Sequence, residues 1–285
     1  SQQNGWAAMQ RFFVSGFPKS GTIFLQMLLD SHANINCPSE QNLSYLFQHL
    51  FKLSTNYRRV IKEMDRKTGG QGLRYEAQAF FAAAMRASVV NLMESGARQT
   101  DTHFGINDNM MASHGDLVAR LMPRTRFIFI VRDPREVAVS LWHHKLRTEP
   151  PFARRSPPIT ETVAFTARAW PEYLAKMEAF RDKWPRRCHF VRYEDLRGSD
   201  RDRHLTAMLQ FLEAPATAAT VQDMWRATDF EALRSREKDK DGEKAGFFRS
   251  GKTDSWRDEV PPEAIESLMQ SVTPTMKRLG YILTD

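Results

Sequence analysis

Residues 12–29 read FFVSGFPKSGTIFLQMLL, and this stretch decides the fold of the chain. An apolar run typical of a buried strand stops at Gly16, a short polar loop follows, and a helical apolar pattern starts at Ile23. A helix N-terminus that follows a strand and a glycine turn attracts anions, because its first N–H groups have no partner within the helix and its dipole favours negative charge. Lys19 adds a cation. The stretch therefore predicts a phosphate-binding loop in an α/β fold.

This loop differs from the P-loop that binds nucleoside triphosphates. That motif has a lysine directly after its second glycine, followed by a serine or threonine on magnesium. Here Gly16 and Gly21 have the right separation, but Thr22 and Ile23 follow the second glycine, and the lysine lies inside the loop. A nucleotide-dependent kinase is therefore a less favoured alternative. A tight strand-to-helix turn with an exposed lysine is the other.

Alternating elements extend the α/β prediction to the whole chain. The runs 126–131 and 189–193 are short, apolar and followed by polar turns, and segments of helical periodicity separate them. This order predicts a single domain over residues 1–285, with a central parallel sheet flanked by helices. Residues 145–158 and 235–246 are rich in charged and small residues or proline, and we expect mobile surface loops there.

Composition indicates which kinds of ligand the protein can bind and in which compartment it is expected. A formal net charge of +7 favours anionic ligands, and a non-catalytic basic module for anionic polymers stays open as an alternative. Aromatic residues are not interleaved with a basic stripe, which disfavours nucleic acid. Cys37 and Cys188 lack metal-ligand spacing and form no disulfide framework, so no metal is expected. No apolar run reaches 18 residues, so we expect a soluble, cytoplasmic protein, with a removed targeting or anchor segment left open.

A second basic motif follows the run 126–131. Arg132 comes directly after the run, Pro134 suits the first turn of a helix, and Ser140 lies eight residues after Arg132. An arginine at the carboxyl end of a strand lies where open α/β sheets bind ligands, and its planar fork suits a phosphate. The motif predicts a second phosphate site, with pairing of Arg132 to the neighbouring Asp133 as the alternative.

Together these motifs resemble those of sulfotransferases that use 3′-phosphoadenosine 5′-phosphosulfate (PAPS). Pro-Lys-Ser-Gly-Thr resembles the family's 5′-phosphosulfate loop, and Arg followed eight positions later by Ser resembles its 3′-phosphate motif. Residues 247–257, FFRSGKTDSWR, resemble its C-terminal loop, with Ser250 in place of a lysine. The resemblance implies a P-loop-like fold, PAPS as co-substrate and an adenine pocket that includes Phe24. It assigns cofactor contacts to Lys19, Ser20, Gly21, Thr22, Ile23, Phe24, Arg132, Ser140, Tyr193, Thr228, Phe230, Phe248, Arg249, Ser250 and Gly251.

The resemblance also implies catalytic roles. Lys19 stands where the family lysine contacts the bridging oxygen, and Ser140 stands where a serine restrains that lysine. The acceptor loses a proton, so a general base is expected near the sulfur. Glu40 is preferred, because it ends a stretch, DSHANINCPSE, that resembles the base region of tyrosylprotein and Golgi-type relatives. His103, in a segment similar to the Lys-Thr-His of cytosolic relatives, and Asp108 are the alternatives.

The sequence leaves the acceptor open among saccharides, tyrosyl peptides, lipids and small molecules. Arg147, Arg154 and Arg155 lie in the basic segment 145–158 and would suit an acidic acceptor. The short dimer motif of cytosolic relatives would fall on residues 257–266. There Pro261 and Pro262 remove two backbone donors, which disfavours a dimer through that motif.

Overall fold

The computed structural model describes residues 9–229 and 254–283. One parallel sheet contains β1 (Gln10–Gly16), β2 (Ile35–Asn36), β3 (His103–Asn107), β4 (Arg126–Val131) and β5 (Cys188–Arg192), in the order β2-β3-β1-β4-β5. In the described ranges the helices are α1 (Thr22–Asp30), α2 (Leu43–Lys67), α3 (Ala77–Gly96), α4 (Met111–Leu121), α5 (Pro134–Thr148), α6 (Pro150–Arg155), α7 (Ile159–Lys183), α8 (Arg201–Leu212), α9 (Ala218–Ala227), α10 (Trp256–Glu259) and α11 (Pro262–Arg278). A 3₁₀ turn covers Pro185–Arg187.

The two faces of the sheet carry separate apolar cores, because side chains alternate along a strand. Phe13 and Phe127 belong to the core that also holds residues of α3, α4, α5, α7 and α11. Phe12 and Ile128, their neighbours in sequence, belong to the core formed with α1, α8 and α9. All four side chains are fully buried. Helices therefore cover both faces, which confirms the predicted parallel α/β architecture.

The strand order places a crevice at the carboxyl ends of β1 and β4. The chain leaves β1 toward β2 on one side of the sheet and leaves β4 toward β5 on the other. The helix after β1 packs on one face, and the helices after β4 pack on the opposite face. Such a place, where the connections from two neighbouring strands leave in opposite directions, is called a topological switch point, and open α/β sheets bind ligands there. The loop at 17–21 and Arg132 both follow these two strands.

One sequence expectation about local structure was wrong, and one helix was not predicted. Residues 145–158 were expected to form a loop, but α5 continues to Thr148 and α6 begins at Pro150. Proline is tolerated there because the first turn of a helix needs no intrahelical N–H bond. The sequence pattern also missed α2, which buries only Leu43, Phe47 and Ser54 along its 25 residues. Among the residues described, no helix is both long and apolar enough to cross a membrane.

Candidate active site at the carboxyl edge of the sheet

The loop after β1 has a strained backbone. Lys19 has a φ of 71°, in the left-handed region, which costs a non-glycine residue roughly 1–2 kcal/mol. Ser20 closes the turn by donating its backbone N–H to the Phe17 carbonyl oxygen at 3.0 Å. Strain of this kind persists where the surrounding structure imposes it, and it is frequent at ligand-binding sites. The loop therefore presents its N–H groups and the Lys19 side chain in one fixed arrangement.

The loop ends at an uncapped helix N-terminus. Gly21 is the N-cap of α1, with a φ of 96°, and no side chain caps the first turn. A β-carbon on Gly21 would lie 2.5 Å from Cδ2 of Tyr193, so a side chain is excluded on grounds of both space and conformation. Ser20 is fully buried, and its hydroxyl has no hydrogen-bond partner in the described chain. These donors are arranged to bind an anion.

Arg132 lies beside the loop and contacts it. Its Nη1 donates to the carbonyl oxygen of Lys19 at 3.2 Å, and its guanidinium lies 4.5 Å from the ring centre of Tyr193. Its Nη2 is 3.4 Å from Oε2 of Glu136, one helical turn along α5. The predicted pairing partner Asp133 is instead held by Arg135, at 2.6 Å. Arg132 is thus fixed beside the loop, and its buried Nε lacks a partner among the described residues.

Glu136 joins the Arg132 site to the end of the C-terminal loop motif at residues 247–257. Only 3% of Glu136 is exposed, and its carboxylate accepts hydrogen bonds from the Ser255 hydroxyl at 3.0 Å and the Trp256 N–H at 3.2 Å. The Arg135 guanidinium lies 4.3 Å from the Trp256 ring centre. The predicted contacts at Phe230, Phe248, Arg249, Ser250 and Gly251 lie outside the described residues.

Three predicted adenine-pocket residues lie on elements around the loop. Tyr193 follows β5, and its ring meets that of Phe24 edge-on, with centroids 5.8 Å apart. Thr228 ends α9 and is buried; its hydroxyl donates to the Met224 carbonyl oxygen at 2.7 Å. Thr22 and Ile23 open α1. Adenine binding by this group stays a prediction.

Cations concentrate around Lys19. Burial, together with the nearby charges of Arg147 and Arg132, lowers the pKa of Lys19 from 10.5 to about 8. Burial and the charge of Lys19 also lower the pKa of His144, which lies one turn after Ser140 on α5. Like charges brought together in this way favour an anionic ligand that neutralises them. Ser140 is half-buried on the same helix.

Glu40 and Asp108 lie near each other at this edge, with different surroundings. Glu40 is on the loop before α2; burial and the Asp108 charge raise the pKa of its carboxyl, and the backbone N–H of Asn109 lowers it. Asp108 is 2% exposed, and its oxygens accept the backbone N–H groups of Leu43 and Met110 at 2.9 and 2.8 Å. Asp108 therefore fixes the starts of two helices, whereas Glu40 remains accessible to solvent.

The structure places His103 away from this site. His103 is the first residue of β3, at the amino edge of the sheet, whereas Lys19 follows the carboxyl end of β1. The imidazole bonds to the Leu212 carbonyl oxygen at 2.9 Å and to the Thr102 hydroxyl at 2.8 Å. About a strand length, on the order of 13 Å at 3.3 Å per residue, separates the two edges. His103 therefore anchors the end of α8 to the sheet.

Several of the buried polar atoms without a partner lie at the carboxyl edge. Within the described ranges they include the Ser20 hydroxyl, the side-chain amide of Asn107, Oδ1 of Asn109, Nε of Arg132 and Nδ1 of His144. Buried polar groups in native proteins are nearly always hydrogen-bonded, so such a cluster indicates a polar ligand. With the strained loop and the uncapped helix, it fits a ligand that carries several phosphate or sulfate oxygens. In the described part of the chain, no group of metal-ligating side chains is assembled.

Sequence reasoning missed Glu136 and Tyr173 at this site. Glu136 had a usable signal, because it lies four positions after Arg132 in the first turn of α5, a spacing that brings side chains together where a helix begins. Tyr173 had none, since its hydroxyl lies 3.0 Å from that of Ser15, 158 positions earlier in the chain.

The family comparison agrees with this geometry. Residues 9–280 match the family model described as sulfotransferase domain, so the chain belongs to that family. The protein-tyrosine sulfotransferase of Drosophila melanogaster is 22% identical over 279 residues, which cover 96% of this chain and 52% of that protein. Cytosolic sulfotransferase 12 of Arabidopsis thaliana is 24% identical over 168 residues, 54% of this chain and 51% of that protein. The chain spans about half the length of these two relatives.

A solved structure shares the fold. The mouse sulfotransferase SULT7A1 complexed with PAP superposes with a TM-score of 0.62 at 16% identity, over 95% of this chain and 84% of that chain. The chain is therefore similar in architecture to a sulfotransferase that has been crystallised with PAP.

Proposed function

We propose that this chain transfers a sulfuryl group from PAPS to an acceptor hydroxyl or amine and releases adenosine 3′,5′-bisphosphate (PAP). The observation that carries this proposal is the meeting of two anion sites. The strained loop with Lys19 and the arginine after β4 touch through a 3.2 Å hydrogen bond from Nη1 of Arg132 to the Lys19 carbonyl oxygen. A ligand with phosphate groups at two positions of one ribose needs such a pair of sites.

The loop residues supply the electrostatic part of the reaction. PAPS, when bound, supplies the sulfuryl group and a leaving phosphate that gains negative charge. Lys19 and the N–H groups at the start of α1 stabilise that charge as it develops, and stabilisation confined to the transition state raises kcat. Arg132 holds the second phosphate group, and Ser140 adds a neutral hydroxyl beside it on α5.

Glu40 is the proposed general base. Its carboxyl has a raised pKa, which makes the ionised form a stronger base than an ordinary glutamate, and solvent reaches it. Asp108 has both oxygens engaged by backbone N–H groups, and His103 lies at the opposite edge of the sheet. Glu40 is thus the candidate whose position and exposure suit proton removal from an entering acceptor.

An acidic acceptor is the proposed substrate class. Arg147 lies on α5, close enough to Lys19 for its charge to lower the lysine pKa, so positive charge extends from the loop along this helix. Arg154 is exposed on α6, whereas Arg155 is paired with Glu161 at 2.6 Å. Of the three arginines, Arg147 is the one whose charge acts on Lys19, so it is the one placed next to the reacting centre.

Radiolabelled PAPS tests the reaction and the acceptor class together. We expect label to pass to acidic acceptors, such as carboxylated or sulfated saccharides and acidic tyrosyl peptides, in preference to neutral phenols. Arg147→Ala should raise KM about 10-fold or more for acidic acceptors, the loss expected of one charged hydrogen bond, with little change for neutral ones. Arg155→Ala is the matched control. Preference for neutral phenols would contradict the acidic acceptor, and transfer to no acceptor class would contradict the activity.

A further inference from the structure

The hydroxyl of Tyr173 joins the two halves of the candidate active site. Tyr173 lies on α7, a helix that carries no residue of the motifs described above, and its side chain is partly buried. Its hydroxyl is within hydrogen-bond distance of the Ser15 hydroxyl, at 3.0 Å, and of the Asn109 carbonyl oxygen. Ser15 immediately precedes Gly16 at the end of β1, and Asn109 follows the end of β3.

The donor in each of the two hydrogen bonds of the Tyr173 hydroxyl follows from the number of protons available. A phenol carries one proton, and a carbonyl oxygen can only accept, so Tyr173 donates to Asn109. The bond to Ser15 therefore has the serine as its donor. The Gly16 N–H also faces the phenol oxygen. At the end of β1, the Ser15 hydroxyl and the Gly16 N–H thus donate to the Tyr173 oxygen. Tyr173 in turn donates its proton to the Asn109 carbonyl oxygen in the turn after β3.

The turn after β3 also lies next to Glu40, the proposed base. The backbone N–H of Asn109 interacts with the Glu40 carboxylate, while its carbonyl oxygen accepts from Tyr173. Hydrogen bonds therefore link Ser15 through Tyr173 to Asn109, whose backbone N–H lies near enough to Glu40 to lower the pKa of its carboxyl. The Tyr173 ring is fixed by edge-on packing against Phe17 of the loop, with centroids 5.6 Å apart.

We propose that Tyr173 is a positioning residue that sets the separation between the phosphosulfate loop and the Glu40 base. This proposal rests on the proposed role of Glu40. It follows from the placement of one rigid side chain against both the end of β1 and the Asn109 turn. A displacement of about 1 Å between reacting groups costs up to 10²-fold in rate, so a fixed spacer of this kind affects turnover more than nucleotide affinity.

Tyr173→Phe tests the role, because phenylalanine keeps the ring packed on Phe17 and removes only the hydroxyl. We expect kcat to fall about 10- to 100-fold while the Kd for PAP stays unchanged. The acid limb of the kcat/KM profile should move to higher pH, because an Asn109 turn released from Tyr173 no longer holds its N–H where it lowers the pKa of Glu40. The titratable groups that face Glu40 are Asp108 and Tyr173 itself. Tyr75→Phe is the matched control: its hydroxyl donates to the Ser54 carbonyl oxygen at 2.8 Å, on α2.

A double-mutant cycle separates positioning from a general loss of stability. In the Glu40→Gln background we expect Tyr173→Phe to have no further effect on kcat, because a spacer for the base has nothing left to position. Equal losses in both backgrounds, or an unchanged kcat and acid limb in Tyr173→Phe, would overturn the proposal. If Tyr173→Phe does not fold, Ser15→Ala takes its place in the cycle with the same expectations. Normal turnover of Glu40→Gln would instead overturn the assignment of the base itself.

Discussion

Lys19→Ala is expected to lower kcat about 10²- to 10³-fold, the usual cost of losing one preorganised group that stabilises developing charge. Lys19 is held in a left-handed backbone conformation beside the uncapped start of α1, which fixes the position of its backbone relative to the helix N-terminus. Steady-state kinetics with saturating PAPS measure the effect. Lys183→Ala is the control, since that lysine pairs with Asp116 at 2.6 Å on the far side of the fold.

The pH profile gives an independent signature of the same residue. The pKa of Lys19 is lowered to about 8, so its charge is present below that pH and is lost as pH rises through it. The kcat/KM for PAPS reports groups of the uncomplexed enzyme and should therefore decline above about pH 8. Lys19→Ala should lose this alkaline limb. A limb that persists in the variant, or a variant with unchanged kcat, would show that Lys19 does not act at the breaking bond.

Glu40→Gln is expected to lower kcat about 10²- to 10⁴-fold, the range for loss of a general base. Glutamine keeps the shape of the side chain but cannot take a proton. The Kd for PAP should not change, because Glu40 lies on the loop before α2 rather than on the phosphate loop. Single-turnover kinetics with preloaded PAPS measure the chemical step apart from product release.

The acid limb of the wild-type profile should reflect the same carboxyl. Burial and the charge of Asp108 raise the pKa of Glu40, so activity should fall at a higher pH than an ordinary glutamate would give. Glu63→Gln is the matched control, an exposed carboxylate that pairs with Lys67 at 2.6 Å on α2. Normal turnover in Glu40→Gln, with the acid limb retained, would remove Glu40 from the mechanism.

The anion loop could be predicted because its chemistry is local. The strand, the glycine turn and the helix start lie within 18 consecutive residues, and each part has its own sequence signal. Arg132 was predictable for the same reason, since it directly follows an apolar strand whose carboxyl end shares the edge of the sheet with the loop. Parallel pairing of β1 and β4 brings the two motifs together.

The base could not be chosen from sequence, because the choice depends on strand boundaries. His103 and Asp108 are five positions apart, but the first begins β3 and the second follows its end, so they lie at opposite edges of the sheet. The segment 103–107 has no clear strand pattern, and β3 was not predicted. The contacts of Tyr173 with Ser15 and of Glu136 with Trp256 join residues more than 100 positions apart, so local patterns contain no information about them.

Calorimetric titration with PAP tests the central claim most directly, since it needs no knowledge of the acceptor. We expect one PAP per chain, bound more tightly than ATP. Arg132→Ala should weaken binding about 10- to 100-fold, the cost of one charged hydrogen-bonding group. Arg120→Ala, which removes a cation paired with Asp116 at 2.6 Å on α4, should leave the affinity unchanged. No heat of binding with PAP, or a preference for ATP, would contradict the account.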